Sequence, residues 1–168
     1  MDKDELSKAF RTARGKADFI LVFPHWGEEY QLTHSSVQEE WAGWLVDRGA
    51  DAIIGSHPHV VQDSTSIKGV PVFYSLGNAV SNMSAINTRL ELAVTLRFTK
   101  NRISGRTEML PAELDFLWCT LPGRLTDNYS VIPIKEWAGR KGDWLIPSDY
   151  DNMLQTYERV KAATGIDD

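Results

Sequence analysis

The stretch FILVF, residues 19–23, lies between Asp18 and Pro24 and is apolar at every position. An uninterrupted apolar run of this length is typical of a strand that is covered on both faces of a sheet. A second short apolar run, AII, occupies residues 52–54. The two runs predict buried strands of one sheet, with the first as a central parallel strand.

The segment between these runs carries the signals of a helix. Ser35 and Ser36 are followed three residues later by Gln38 and Glu39, the pattern of a capping box. An apolar stripe then follows at helical spacing, formed by Val37, Trp41, Trp44 and Leu45. Strand, helix and strand with short joints predict a βαβ unit, whose two strands are parallel and end at the same edge of the sheet.

Further elements surround this unit. Residues 2–14 have the apolar spacing of an amphipathic helix, and residues 70–75 form another strand after a turn at residues 68–69. Residues 89–98 alternate strictly between polar and apolar side chains, which predicts a strand with one face in water. A partner strand within residues 102–114 would complete an antiparallel ribbon, so the sheet is predicted to be mixed.

The last third of the chain has a less regular pattern. We expect residues 115–147 to be long ordered loops with one short strand at 131–134. Ser148 and Asp151 are expected to cap a final helix. The chain is therefore predicted to be one mixed α/β domain over residues 1–168, with a core over residues 1–114 and a loop-rich tail over residues 115–168.

Composition excludes several classes of protein. The 168 residues are 42% hydrophobic and 24% charged, which is ordinary for a globular domain. A net charge of -5 without a basic stripe disfavours nucleic acid as a partner. The sequence contains neither a signal-peptide core nor an apolar stretch long enough to span a membrane. Its single cysteine, Cys119, leaves the redox compartment open.

Three of the four histidines follow predicted strands. His25 comes after the first apolar run, and His57 and His59 come after the second. Neutral imidazole is a common metal ligand, and residues two apart on extended backbone project to the same side. We therefore expect His25, His57 and His59 to bind a metal ion. The alternative is a pair of turn histidines that bind backbone carbonyls.

Two further residues are candidates for a catalytic role. Glu29 follows His25 on the same loop, and it could be a ligand, a base for a bound water or a group that orients an imidazole. Asn78 follows the strand at residues 70–75 and could be a donor or a ligand, or simply part of a turn. Trp26 is a candidate wall of the site, whereas His34 is expected to be exposed and receives no role.

The sequences HWG with EY (residues 25–30), GAD (49–51), GSHPHV (55–60) and YSLGN (74–78) resemble, in this order, the bacterial CapA-type capsule-synthesis family linked to poly-γ-glutamate. That family is similar to the calcineurin-like metallophosphoesterases. The resemblance implies a β-sandwich flanked by helices, with a two-metal centre at the strand ends. His25 matches the isolated histidine ligand of that centre, and His57 and His59 match its paired histidines. Glu29 and Asn78 match positions typical of the capsule branch.

The resemblance also implies a function and its setting. A CapA-type protein with this site would be a metal-dependent phosphoester hydrolase that uses Mn, Zn or Fe. Its expected partners are poly-γ-glutamate or a phosphoester and other capsule-synthesis components. Its expected location is the bacterial cell envelope, outside the cytoplasm.

The earlier motifs of the family, a Gly-Asp strand end and an Asn-Asn-His turn, have no counterpart here, so the chain resembles the C-terminal half. A metal pair about 4 Å apart needs a bridging carboxylate, which this half lacks. We therefore expect weak activity or none. The alternatives are a non-catalytic export component that binds polymer or partner proteins, and a structural fragment that forms a homodimer through an exposed sheet edge.

Overall fold

The computed structural model describes residues 2–168, and this part of the chain has a mixed α/β fold, as the sequence predicts. Its α-helices are α1 (Lys3–Arg14), α2 (Ser36–Asp47), α3 (Ile134–Trp137) and α4 (Pro147–Thr164). Its strands are β1 (Leu21–Val22), β2 (Ala52–Ile54), β3 (Ser64–Ile67), β4 (Val70–Phe73), β5 (Leu90–Thr95), β6 (Phe98–Lys100), β7 (Thr107–Met109), β8 (Glu113–Thr120) and β9 (Ser130–Pro133). No helix within residues 2–168 combines the length and apolar character that crossing a bilayer demands.

The first sheet has the strand order β1-β2-β4-β3 and confirms the βαβ unit. β1 and β2 are parallel, with Leu21 opposite Ala52, and β2 and β4 are also parallel. β3 is antiparallel to β4, so this sheet is mixed, although the predicted antiparallel strands after residue 89 lie in other sheets. The central position predicted for the first strand is wrong. β1 is two residues long and lies at an edge, because no strand in residues 2–168 pairs with its outer side, and Phe23 beyond it is 68% exposed.

Helix α2 starts at the predicted capping box but buries a different face. The backbone N–H of Gln38 donates to Ser35 Oγ at 3.3 Å, and the backbone N–H of Ser35 donates to Gln38 Oε1 at 2.9 Å. Val37 is exposed, and the two tryptophans of the predicted stripe are only half-buried. The buried residues of the helix are Gln38, Ala42, Leu45 and Val46. Burial of Gln38 is tolerated because its side-chain amide donates to Gln62 Oε1 at 2.9 Å.

The second sheet, β5-β8-β9, is antiparallel and corrects the prediction for residues 115–147. β8 is eight residues long and lies at its centre, in a segment predicted to be loop. Trp118, Cys119 and Thr120 are buried in succession, because β8 is covered on both faces at this end. The alternation of exposed and buried residues that marks a half-exposed strand is therefore missing at this end of β8. The predicted strand near residue 131 is confirmed as β9. A short ribbon forms between β6 and β7, but the strand predicted at 89–98 is mainly β5, and its partner is β8 rather than a strand within 102–114.

The larger apolar cluster draws most of its buried residues from beyond residue 114. Phe116, Trp118 and Met153 belong to this cluster together with Val61 and Phe73 of the first half. A boundary at residue 114 therefore does not separate a core from a tail. A second cluster lies between α1, α2 and the first sheet.

The water-facing side predicted for the strand at 89–98 is wrong at its start. Arg89 and Glu91 are 4% and 5% exposed. The Arg89 guanidinium donates to both carboxylate oxygens of Asp149, at 2.8 and 2.7 Å, and to the backbone oxygen of Cys119 at 2.9 Å. The ion pair joins the start of β5 to the first turn of α4 across the sheet.

The start of α4 differs from the predicted Ser148 and Asp151 cap. Pro147 is the first helical residue, and Ile146 precedes it without a side-chain cap hydrogen bond. Proline suits this position because its fixed φ matches the helix and its missing N–H would have no partner there. Gly165 ends the helix in the left-handed conformation.

Candidate functional site

The loops that follow β1 and β2 are joined by backbone pairing beyond the ends of the strands. His25 and Ser56 form a parallel bridge, in which the N–H of Trp26 donates to Ser56 O and the N–H of Ser56 donates to Pro24 O, each at 3.0 Å. This pairing brings the rings of His25 and His57 to a centroid separation of 4.5 Å. The predicted convergence of distant histidines at one sheet edge is therefore present for this pair.

The GSHPHV segment is a turn rather than extended backbone. His57 and His59 have φ values of 106° and 62°, in the region that residues other than glycine seldom occupy. Their ring centroids are 6.1 Å apart. The prediction that these two residues lie on extended backbone is wrong. His57 and His59, on either side of Pro58, both have left-handed backbone conformations. Such strain persists where the surrounding structure holds it, and the N–H of Tyr30 donates to Pro58 O at 2.8 Å.

Asn78 contacts His59 directly. Its amide nitrogen faces two backbone oxygens, those of His59 at 3.3 Å and Thr88 at 3.4 Å. Its amide oxygen therefore faces His59 Nδ1, 2.9 Å away, and accepts a hydrogen bond from it. The proton on Nδ1 leaves the lone pair on Nε2, the form in which imidazole binds a metal.

Gly55 allows the two loops to approach each other closely. A Cβ at this position would lie 2.0 Å from the backbone oxygen of Tyr74 and 2.5 Å from Trp26 Nε1. The indole N–H of Trp26 donates to that same oxygen at 2.9 Å. Trp26 is 9% exposed and belongs to the core cluster under α2, so it supports the loop from behind rather than forming an open wall.

Ser56 is a residue at this edge that sequence reasoning missed. Its hydroxyl lies 3.5 Å from His25 Nδ1 and donates to Pro24 O at 3.2 Å. Its place between Gly55 and His57 was the available signal. Glu29, in contrast, is exposed on the loop after His25, and no hydrogen bond or ion pair within residues 2–168 connects it to the histidines.

His34 is half-buried rather than exposed as predicted. Its Nδ1 lies 2.7 Å from Asp63 Oδ2, and its ring stacks on Tyr74 with centroids 3.8 Å apart. Burial, followed by the charges of Glu39 and Asp63, raises the pKa of Tyr74 to about 12. His34 is therefore engaged in a separate contact, away from the other three histidines.

The donor atoms of this edge suit a zinc-like ion in kind, because neutral imidazole nitrogen is among the usual ligands. Within residues 2–168, however, no group of three or more histidine, cysteine, aspartate or glutamate side chains is arranged to hold a metal ion. The described residues thus supply paired imidazoles and fall short of a complete ligand set.

Comparison with known proteins gives a family match over the first half of the chain. The model of the bacterial capsule synthesis protein PGA_cap matches residues 1–83, which include every histidine at this edge and Asn78. Residues 1–83, just under half of the chain, are therefore similar to this family. The likeness stops close to the start of β5, so the antiparallel sheet lies outside the matched residues.

Two curated relatives from the genus Bacillus agree with this assignment. The chain is 45% identical over 85 residues to the capsule biosynthesis protein CapA of Bacillus anthracis, a match that covers 51% of the chain and 21% of the relative. It is 37% identical over 102 residues to the PGA biosynthesis protein CapA of Bacillus subtilis (strain 168), covering 61% of the chain and 27% of the relative. The matched segment thus spans about a quarter of the length of these relatives, and the chain is CapA-type in this segment.

Proposed function

We propose that the chain supplies histidine ligands to a divalent-metal site of a CapA-type protein in poly-γ-glutamate capsule synthesis, and that the longer form hydrolyses a phosphoester. The observation that carries the proposal is the ring pair of His25 and His57, 4.5 Å apart, at the edge where β1 and β2 end. Both residues lie in the segment that matches the capsule family.

The ligand set proposed for this chain is His25, His57 and His59. The hydrogen bond from His59 Nδ1 to Asn78 supports a ligand role for His59, because it leaves Nε2 as the acceptor. Asn78 acts in this proposal as a positioning residue. Glu29 is proposed to act from the exposed loop as a general base toward a bound water, a common role of carboxylate side chains.

The fold proposed for the complete site is a metallophosphoesterase-like β-sandwich. The two larger sheets, flanked by α2 and α4, are consistent with part of such a fold. A bound Mn, Zn or Fe ion would polarise a phosphoryl oxygen and lower the pKa of a bound water. Further ligands would come from residues outside this chain, because residues 2–168 do not complete the set.

Metal binding by the purified chain tests the ligand set. Titration with Zn²⁺ or Mn²⁺ against a chromogenic chelator should show saturable binding of one ion. We expect the double variant His57→Ala with His59→Ala to weaken that binding at least a hundredfold. His34→Ala is the matched control, because it removes an imidazole that is engaged with Asp63 instead. Equal weakening by the control, or no binding by the parent chain at millimolar metal, would refute the ligand set.

Hydrolysis is tested separately, with a longer CapA-type chain that contains this segment. We expect that chain to cleave a generic phosphodiester only with added metal and to lose the activity when His57 and His59 are replaced by alanine. The present chain alone should show weak turnover or none. A longer chain that binds metal but never cleaves a phosphoester would leave a binding role in polymer export as the function.

Poly-γ-glutamate is the proposed polymer, and the bacterial envelope is the proposed location. The chain carries a net charge of -5, so an anionic polymer would be repelled unless divalent cations bridge the two. Retention of the chain on the polymer should therefore require divalent metal and weaken with salt. Retention that a chelator leaves unchanged would count against this partner.

A further inference from the structure

A cavity of about 320 Å³ lies beside the carboxyl ends of β1 and β2, next to the histidine loops. Its wall is mainly apolar and includes Phe23, Ile54, Leu76 and Leu92, while Glu91 and four small residues form the rest. The volume corresponds to about ten water molecules, since each occupies roughly 30 Å³ in the liquid. This is the small end of the range for ligand pockets.

Glu91 contributes a carboxyl group to this cavity and has an unpaired acceptor atom. The side chain is 5% exposed, and its Oε1 is buried without a hydrogen-bond partner among the described residues. Buried polar atoms are usually hydrogen-bonded, and an unmade bond costs about 1–3 kcal/mol. An orphaned carboxyl oxygen on a residue that lines an apolar cavity points to a partner that residues 2–168 do not provide.

Nearby charges do not satisfy Glu91. Arg89, which immediately precedes β5, donates through both terminal nitrogens to Asp149. Leu117 stands opposite Glu91 on β8. Among the residues of the described chain that line the cavity, Glu91 is the one with a titratable side chain. Desolvation raises its pKa to about 8.

The residues that line the cavity favour one chemical class of ligand. An anion would be repelled by a carboxylate, and a divalent cation needs several oxygen ligands where this cavity offers one carboxyl group. An ammonium group needs a single strong acceptor, and the hydroxyl of Ser56 on the same wall offers a second. The apolar residues would cover an aliphatic stem.

We propose that the cavity lined by Glu91 binds a primary alkylammonium ion, with the ammonium group on the Glu91 carboxylate and the alkyl chain against Phe23 and Leu92. The proposal rests on the cavity and the orphaned oxygen, and it is independent of metal binding at the histidines. Binding requires ionised Glu91, so it releases a proton from the protein below pH 8. Affinity should therefore rise with pH until this carboxyl group is ionised in the free protein.

Isothermal titration with n-butylammonium chloride, at pH 7 and pH 9, tests the proposal. Ammonium groups of this kind stay charged at both values, because their pKa is about 10.4. We expect binding about tenfold tighter at pH 9 than at pH 7, and at least tenfold tighter than that of 1-butanol, which has the same stem and no charge. Equal affinity for butanol and butylammonium would overturn the proposal.

Glu91→Gln, which keeps the shape and removes the charge, should lower the affinity for n-butylammonium at least tenfold at pH 9. Glu108→Gln is the matched control, since it removes one exposed negative charge from the β6–β7 ribbon. It should leave binding unchanged. Circular dichroism would verify that both variants fold. Undiminished binding to folded Glu91→Gln, or no binding to the parent chain at pH 9, would refute the site.

Discussion

The two halves of the molecule hold their polar residues in different ways. In residues 2–83, polar side chains lie on loops after short strands, and all four non-glycine residues of the described chain with positive φ occur there. Residues 84–168 contain the two longest strands, β5 and β8, and Arg89 and Asp149 are buried there in a bidentate ion pair. The half that matches the capsule family therefore concentrates backbone strain, whereas the other half supplies most of the larger core.

The strained loop residues of the first half form the candidate site, whereas the buried ion pair of the second half stabilises the fold. Left-handed φ values at His57 and His59 cost stability and persist only where neighbouring contacts impose them. The buried ion pair, in contrast, cannot lose one partner without leaving a bare charge. Substitutions in the second half should therefore affect stability most, and substitutions in the first half should affect binding with smaller changes in stability.

The largest expected effect comes from breaking the ion pair. Asp149→Ala leaves the Arg89 guanidinium buried without its carboxylate, and we expect a loss of about 3–5 kcal/mol in the free energy of unfolding. Urea denaturation measures this. Lys100→Ala is the control, because it breaks a surface pair with Asp18 that should contribute less than about 1 kcal/mol. Equal losses for the two variants would erase the distinction between the halves.

The next effect is the pH dependence that Glu91 imposes. Its pKa is raised from 4.5 to about 8 in the folded state, so the folded protein keeps a proton that the unfolded chain releases. This contribution to stability is fully present below pH 4.5, declines as pH rises, and is lost above pH 8. We expect a decline of up to about 5 kcal/mol. Urea midpoints across this range should fall more steeply for the parent chain than for Glu91→Gln. Parallel curves would contradict the burial of this carboxyl.

The smallest effect concerns strain at the candidate site. His57→Gly and His57→Ala both remove the imidazole, but only glycine adopts φ of 106° without steric cost. The glycine variant should be more stable than the alanine variant by about 1–2 kcal/mol in urea denaturation. The same pair of substitutions at Ser56, whose φ is not positive, should favour alanine. A preference for alanine at residue 57 would remove the claim that strain is stored there.

Sequence reasoning was most successful where one pattern has one physical cause. The capping box at Ser35 and Gln38 and the βαβ unit were predicted correctly, because local hydrogen bonds and crossover connections leave few alternatives. The pairing of the His25 and His57 loops followed from that topology. The family resemblance read from the motifs was also confirmed.

The errors share a cause, which is burial decided by distant partners. Glu91 alternates with leucines and was expected in water, yet another part of the chain covers it. β8 lost its alternating pattern because both of its faces are covered at one end. The turn at His57 could not be foreseen, since the left-handed backbone depends on contacts with the β1 loop rather than on residue type.

Gly55 lies where β4 and the two histidine loops approach each other most closely, and it leaves room for only a hydrogen atom there. Its single hydrogen atom fills the gap beside Tyr74 O where a methyl group would not fit. A larger residue there would have to push the loops away from β4, and the rings of His25 and His57 would shift with them. The separation of two imidazoles is thus set by a residue that has no functional group of its own.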